Sequence, residues 1–177
     1  MIIITGGAGF IGSALAAELN ARGVEEILIV DMLGTGTRWK NLRKLRYFDY
    51  MEADDFAQAL DSDQIEWDVD TILHMGACSD TTETDASYLV HNNYEYSKML
   101  AQWAADHQVR FIYASSAATY GDGAAGFSDQ EPIESLIPLN MYGYSKHMFD
   151  LWAKRTGIAD QIVGLKYFNV FGPNEYH

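Results

Sequence analysis

Tyr142 and Lys146 stand four residues apart in Asn140-Met141-Tyr142-Gly143-Tyr144-Ser145-Lys146. On a helix, positions i and i+4 share a face, which would set the Lys146 ammonium beside the Tyr142 phenol and favour its phenolate. A phenol that ordinarily titrates near about 10 then becomes a general base near neutrality. The stretch Tyr113-Ala114-Ser115-Ser116-Ala117-Ala118-Thr119-Tyr120-Gly121 offers two serines at the end of an expected strand. Either could hydrogen-bond a substrate hydroxyl or carbonyl oxygen while Tyr142 takes or returns the proton. The chemistry suggested is that of a redox site acting on a hydroxyl or carbonyl group. A single Tyr-x-x-x-Lys also fits a solvated helix face, so the elements that would position it matter.

The first of these is a glycine loop. Met1-Ile2-Ile3-Ile4-Thr5 is apolar and β-branched, Gly6-Gly7-Ala8-Gly9-Phe10-Ile11-Gly12 follows at once, and Ser13-Ala14-Leu15-Ala16-Ala17-Glu18-Leu19 reads as helix. Between a strand and a helix, Gly6, Gly9 and Gly12 would allow a tight turn, backbone approach to a pyrophosphate and close helix packing. The next expected strand ends at Asp31, about 20 residues on, where an acid meets the adenosine ribose. Five of the twelve Lys and Arg residues then cluster at Arg38, Lys40, Arg43, Lys44 and Arg46. They read either as a solvated basic surface or as a site for the 2′-phosphate that distinguishes NADP from NAD. Asp31 suits a free 2′-hydroxyl, so NAD stays open while the basic cluster favours NADP.

Beyond the loop, strands expected at 2–5, 27–31, 45–49, 70–75, 110–115 and 162–168 alternate with helices at 10–21, 54–61, 87–106 and 141–156. That order predicts an α/β fold with a doubly wound parallel sheet of Rossmann type, whose ligands lie beyond the carboxyl ends of the strands. After the fourth strand, the small residues Gly76, Ala77 and Ser79 would let the chain pass close to a cofactor, with hydroxyls able to reach a substrate diphosphate; a plain polar loop is the alternative. Asn92 suggests a polar task on a helix or a place on its surface. His74 reads as a packed strand residue, and Tyr88, Tyr94, Tyr96 and Trp103 as core or interface.

Composition narrows the classes. A chain of 177 residues, 48% hydrophobic, can bury one substantial core. The formal charge of −13 argues against nucleic acid or an anionic membrane as partner. No apolar stretch approaches the roughly 18 residues of a membrane span, and no cleavable leader is visible, so a cytoplasmic protein is expected. The lone cysteine, Cys78, makes no internal disulfide or cysteine metal cage, and no metal is expected.

The glycine loop, the Ser115-Ser116 segment, Tyr142-Gly143-Tyr144-Ser145-Lys146 and Tyr167-Phe168-Asn169-Val170-Phe171-Gly172-Pro173 together resemble the extended short-chain dehydrogenase/reductase family. Gly76-Ala77-Cys78-Ser79 with Thr81-Thr82-Glu83 and Asp85, Asn92-Asn93-Tyr94 and Tyr96-Ser97-Lys98 narrow the resemblance to its nucleotide-sugar epimerases acting on ADP-heptose. Carried over by position, it makes Ser116, Tyr142 and Lys146 catalytic. It places Gly6, Gly9, Phe10, Ile11, Gly12, Asp31, Met32, Arg38, Met75, Gly76, Ala77, Cys78, Ser79, Asn92, Tyr142 and Lys146 against NADP. Ser79, Ser116, Asn169 and Val170 would meet substrate.

The resemblance implies a redox-neutral reaction. Tyr142 as phenolate takes the hydroxyl proton while hydride leaves C6″ of the heptose for NADP, and the planar ketone is then reduced from its other face. Two positions depart from the pattern: Ala53 stands where a second basic residue helps hold the 2′-phosphate, and Met32 replaces a polar residue. Members of the family run to about twice the size of one domain. Residues 1–177 are therefore expected to be the NADP-binding domain, with the substrate-binding portion and a second catalytic lysine beyond 177. Ala117 and Ala118 lack the acid that sister dehydratases use for elimination. A UDP-hexose 4-epimerase and a non-catalytic dinucleotide sensor are the alternatives, and the resemblance implies a homo-oligomer, a pentamer.

Overall fold

The computed structural model describes residues 1–124, 126–172 and 175; Pro173, the last residue of the fourth resemblance motif, lies outside the described residues. Six strands form one parallel sheet: β1 (Ile2–Thr5), β2 (Ile27–Asp31), β3 (Asp49–Glu52), β4 (Thr71–His74), β5 (Arg110–Ser116) and β6 (Ile162–Tyr167), in the order β3-β2-β1-β4-β5-β6. The direction of winding reverses between β1 and β4, so the crevice for a ligand opens where Thr5 and His74 end their strands side by side.

Successive strand residues point to opposite faces, and both faces are covered. Ile3, Leu28 and Ile72 pack with Phe56, Leu100 and Phe149 from α3 (Ala53–Asp61), α5 (Tyr96–Asp106) and α6 (Met141–Thr156). Ile4, Ile27 and Ile29 pack the other way, against Ala16 of α1 (Phe10–Ala21) and Leu42 of a short α2 (Trp39–Leu42). Each buried Ile, Leu or Phe among them contributes about 1.5–3 kcal/mol on leaving water.

Two expected elements change. The strand expected at 45–49 meets β2 only at its far end: Leu45 and Tyr47 pack against the α1-side core, the Phe48 N–H donates to the Ile27 carbonyl at 2.9 Å, and Leu28 is matched with Asp49. The helix expected at 87–106 is built in three parts: α4 (Ala86–Leu89), a π-helical turn Val90–Glu95, and α5. The wider turn reorients the side chains within it, which decides the functions of two adjacent asparagines below. Helix α6 starts on Asn140, whose side chain accepts from the N–H of Gly143 at 2.7 Å, and stops at Gly157, which takes a left-handed φ of 79°. Among the described residues no helix is long and apolar enough to cross a membrane.

Candidate active site

The glycine turn is shaped by contacts that leave no room for side chains. Gly6 has φ +66°, and a Cβ there would lie 2.6 Å from the nitrogen of Gly76. A Cβ on Gly12 would collide with the Gly6 carbonyl. Helix α1 begins at Phe10 without a side-chain cap, so the first-turn N–H groups point out of a 12-residue helix toward the turn. This cradle fits a dinucleotide's pyrophosphate.

Asp31 at the end of β2 is buried, and both its oxygens are engaged: Oδ2 accepts from the Ala8 N–H at 2.8 Å and Oδ1 from the Met32 N–H at 2.7 Å. Arg38 approaches Oδ1 at 3.5 Å and is otherwise exposed, as is Met32. Asp31 thus fastens the glycine turn to β2 and orients Arg38. Asn41 of α2 adds a bond from Nδ2 to the Ala8 carbonyl at 2.9 Å. Of the other clustered bases, Arg46 pairs with Glu25 and bonds the Asn20 carbonyl, and the Arg43 guanidinium lies over Trp39.

Behind the crevice runs a buried polar chain that the sequence reading missed. The Gly76 N–H donates to Thr5 Oγ1, whose hydroxyl donates to His74 Nδ1 at 2.6 Å; His74 Nε2–H donates to Ser97 Oγ at 2.8 Å, and Ser97 donates to the Asn93 carbonyl at 2.7 Å. The Ser97 donation fixes the histidine as its neutral Nε2–H form. Burial, with the Lys146 charge adding to it, pushes His74 down to about 3. His74 is a packed strand residue whose two bonds tie β1, β4 and α5 together.

Asn93 is the second missed residue. Fully buried, its Oδ1 accepts from the Cys78 N–H at 2.8 Å while Nδ2 donates to the Cys78 carbonyl at 2.9 Å and to Ser145 Oγ at 3.0 Å. It locks the loop after β4 onto α6, the helix that bears Tyr142 and Lys146. Asn92, the asparagine expected at the cofactor, is half-buried and donates to the Tyr88 carbonyl at 2.8 Å. Adjacent asparagines gave a signal that something polar happens here; only the π-turn decides which one turns inward.

Ser115 and Ser116 separate cleanly. Ser115 is committed to Asp150, donating to Oδ2 at 2.9 Å. Ser116 Oγ accepts from the Ala118 N–H at 3.1 Å and lies close enough to the Tyr142 phenol to pull its pKa down. The close approach of α6 is made possible by Gly143, where a Cβ would sit 2.8 Å from the Ala118 carbonyl.

The expected relation between Lys146 and Tyr142 takes another form. Lys146 is buried, and its Nζ donates to the Ala114 carbonyl of β5 at 3.0 Å rather than to the phenol. Burial lowers its pKa to about 8. Tyr142 is raised, chiefly by burial, with the Ser116 hydrogen bond acting against the rise and the nearby Cys78 adding to it. Shared helix face does not imply shared contact: the lysine reaches the strand beneath it, and this chain alone holds the tyrosine as a phenol.

The remaining expected residues line the same end of the sheet. Phe10 and Ile11 are half-buried, as are Met75, Gly76, Ala77 and Cys78; Ser79, Asn169 and Val170 are exposed. The Tyr167 hydroxyl points at the Met75 sulfur at 3.8 Å. Among the described residues, no three His, Cys, Asp or Glu gather as a metal site would need.

Comparisons with known proteins agree with this arrangement. The chain is 56% identical to an ADP-L-glycero-D-manno-heptose-6-epimerase of Nitratidesulfovibrio vulgaris, over all of this chain and 55% of that protein. The chain spans about half the length of the curated relatives it matches. Among solved structures it is similar to the Helicobacter pylori ADP-L-glycero-D-manno-heptose-6-epimerase, at TM-score 0.82 and 31% identity, covering 99% of this chain and 57% of that one. It is also similar to the Bordetella bronchiseptica enzyme WbmG in complex with NAD and UDP, at TM-score 0.73 and 29% identity, covering 97% and 54%. The model of the NAD dependent epimerase/dehydratase family matches residues 2–177, and with the parallel sheet, the glycine cradle and the Ser116–Tyr142 pair already in place, the chain belongs to that family.

Proposed function

We propose that these residues are the dinucleotide-binding domain of an NADP-dependent isomerase that interconverts the C6″ epimers of ADP-glycero-manno-heptose through a transient 6″-ketone, in the supply of heptose for lipopolysaccharide core. The observation that carries the reading is Ser116 facing the Tyr142 phenol near Cys78, on the loop that packs against the glycine cradle. The heptose-epimerase relatives named above support the choice of substrate.

In this reading Gly6, Gly9, Gly12 and the start of α1 receive the pyrophosphate. Arg38, exposed and oriented by Asp31, meets a 2′-phosphate; the prior engagement of both Asp31 oxygens favours NADP over NAD. NADP, when bound, supplies the hydride acceptor and donor. Ser116 holds the oxygen whose charge changes. Tyr142, a phenol in this chain alone, would take the proton of the substrate hydroxyl as a phenolate favoured by the positive charges of Lys146 and of the bound oxidised nicotinamide, and return a proton to the ketone as phenol. Lys146, anchored on the Ala114 carbonyl, holds a positive charge beneath the site. A further portion of chain, of the kind present in relatives nearly twice this length, completes the substrate site and adds the second acid–base group, in a cytoplasmic homo-oligomer.

The test uses full-length protein and ADP-D-glycero-D-manno-heptose deuterated at C6″, followed by NMR. The expected product is the L-glycero epimer with the deuterium retained. Inversion at C4 of a UDP-hexose with no change at the heptose would overturn the reading, and tight dinucleotide binding with no exchange on either sugar would point to a sensor.

A further inference from the structure

Asp150 lies one helical turn beyond Lys146 on α6 and is 3% exposed. Its carboxylate gathers three donors from two strands: the Tyr113 hydroxyl on Oδ1 at 2.8 Å, the Ser115 hydroxyl on Oδ2 at 2.9 Å, and the Lys166 ammonium on Oδ2 at 2.8 Å. Tyr113 and Ser115 flank Ala114, whose carbonyl receives Lys146. Lys166 also donates to Thr119 Oγ1 at 2.7 Å, and Thr119 in turn donates to the Ser116 carbonyl at 2.8 Å. One carboxylate therefore grips the strand on both sides of the lysine's acceptor and reaches the backbone of the candidate serine.

We propose that Asp150 is a positioning residue of this site, clamping the β5 end against α6 so that Lys146 stays on the Ala114 carbonyl and stays charged. The inference rests on the assignment of Tyr142, Lys146 and Ser116 to proton handling, and adds a residue outside that set. Its electrostatic basis is a count of the groups that face Lys146. His74 on β4 is neutral, Cys78 stands on the loop after β4, and Asp150 stands on the lysine's own helix. Burial draws Lys146 down, and Asp150 is the largest influence in the opposite direction, ahead of Cys78. Asp150 in turn is faced by Lys166, Tyr113, Tyr120 and His147. A buried carboxylate with three donors is already satisfied, so its charge is fixed in place and cannot turn away from the lysine.

The experiment is an NMR titration of Lys146 in full-length protein carrying 13Cε-lysine, assigned with Lys146→Arg. Asp150→Asn is expected to lower the Lys146 midpoint by about one unit, which raises the ratio of neutral to charged amine about tenfold at a given pH. Asp150→Glu, which keeps the charge, should recover most of the shift. A folded Asp150→Asn protein with the wild-type midpoint overturns the proposal. If that variant does not fold, the wild type decides: the Asp150 carboxyl carbon should shift with the Lys146 midpoint, and a flat response there overturns the proposal. Neither readout depends on turnover, so failure of the epimerase reading would show separately as absent heptose conversion.

Discussion

Gly6 and Gly76 lie backbone against backbone at the ends of neighbouring strands: a Cβ on Gly6 would come 2.6 Å from the Gly76 nitrogen, and one on Gly76 would come 2.9 Å from the Gly6 nitrogen. The contact joins the glycine turn to the loop after β4, so a methyl group at either position wedges the crevice apart. Gly76→Ala should lose about 1–3 kcal/mol in denaturant unfolding and weaken dinucleotide binding. Gly6→Ala should lose more, because its left-handed φ adds strain. Gly36, with open space around it, is the control. A Gly76→Ala protein as stable as Gly36→Ala would remove the argument.

The buried imidazole makes acid sensitivity local. His74 has a folded pKa of about 3 against the ordinary 6.5, so between those values the unfolded chain holds a proton that the folded chain refuses. This contribution is complete above about 6.5 and is lost as pH falls toward about 3, on the order of 3–5 kcal/mol in all. Unfolding free energies measured across that window should slope less steeply in His74→Asn than in the wild type. Parallel slopes would place the acid sensitivity elsewhere.

Lys146 gives the opposite window. Its folded pKa of about 8 lies below the ordinary 10.5. Between these values the unfolded chain again binds the extra proton, so this group's contribution to stability rises with pH from about 8 to about 10.5 and is flat below. Lys146→Met should abolish that alkaline rise. A persistent rise in the variant would assign it to another group.

Asn93 and Asn92 should behave very differently despite being neighbours. Asn93→Ala leaves the Cys78 N–H and carbonyl without their partner, at about 1–3 kcal/mol for each buried group left unpaired. Asn92→Ala removes one accessible bond to the Tyr88 carbonyl and should cost about 1 kcal/mol or less. Chemical denaturation ranks the two, and equal losses would contradict the π-turn geometry.

For the chemistry, Tyr142→Phe in the full-length protein should reduce heptose interconversion by about 10²–10⁴-fold while dinucleotide affinity stays within a few-fold, as read by stopped assays and calorimetry. Arg38→Ala should weaken NADP by about tenfold or more and NAD much less. Equal losses for both cofactors would return Asp31 to the ribose and favour NAD.

Much of this could be read from residue order, and the parts that could not share a cause. The glycine turn, β1, β2, β5 and α6 carry dense local signals: β-branched runs, a glycine spacing, paired serines at a strand end and a tyrosine and lysine at helical spacing. β3 was misplaced because it is an edge strand with polar ends, while the apolar Leu45 and Tyr47 just before it belong to packing rather than pairing. Asn93, His74 and Asp150 were passed over or given no task because their partners lie 15 to 69 residues away. The π-turn has no periodicity of its own, so the choice between Asn92 and Asn93 is a tertiary fact. Lys146 shows the same limit, since helical spacing gives a shared face and the strand beneath supplies the partner.

The strand order also sets the order in which the fold can be completed. β1 lies in the interior of the sheet, yet its partner on one side, β4, lies nearly 70 residues later, with Ile2 matched to Thr71. Until that segment is synthesised, one ladder of β1 remains unpaired, and parallel neighbours cannot be closed by a short hairpin. Loop closure over such separations slows assembly and leaves apolar strand edges open to other chains. The Thr5–His74–Ser97 chain can form only after all three segments have emerged, so the crevice stays unorganised through the synthesis of the first half of these residues.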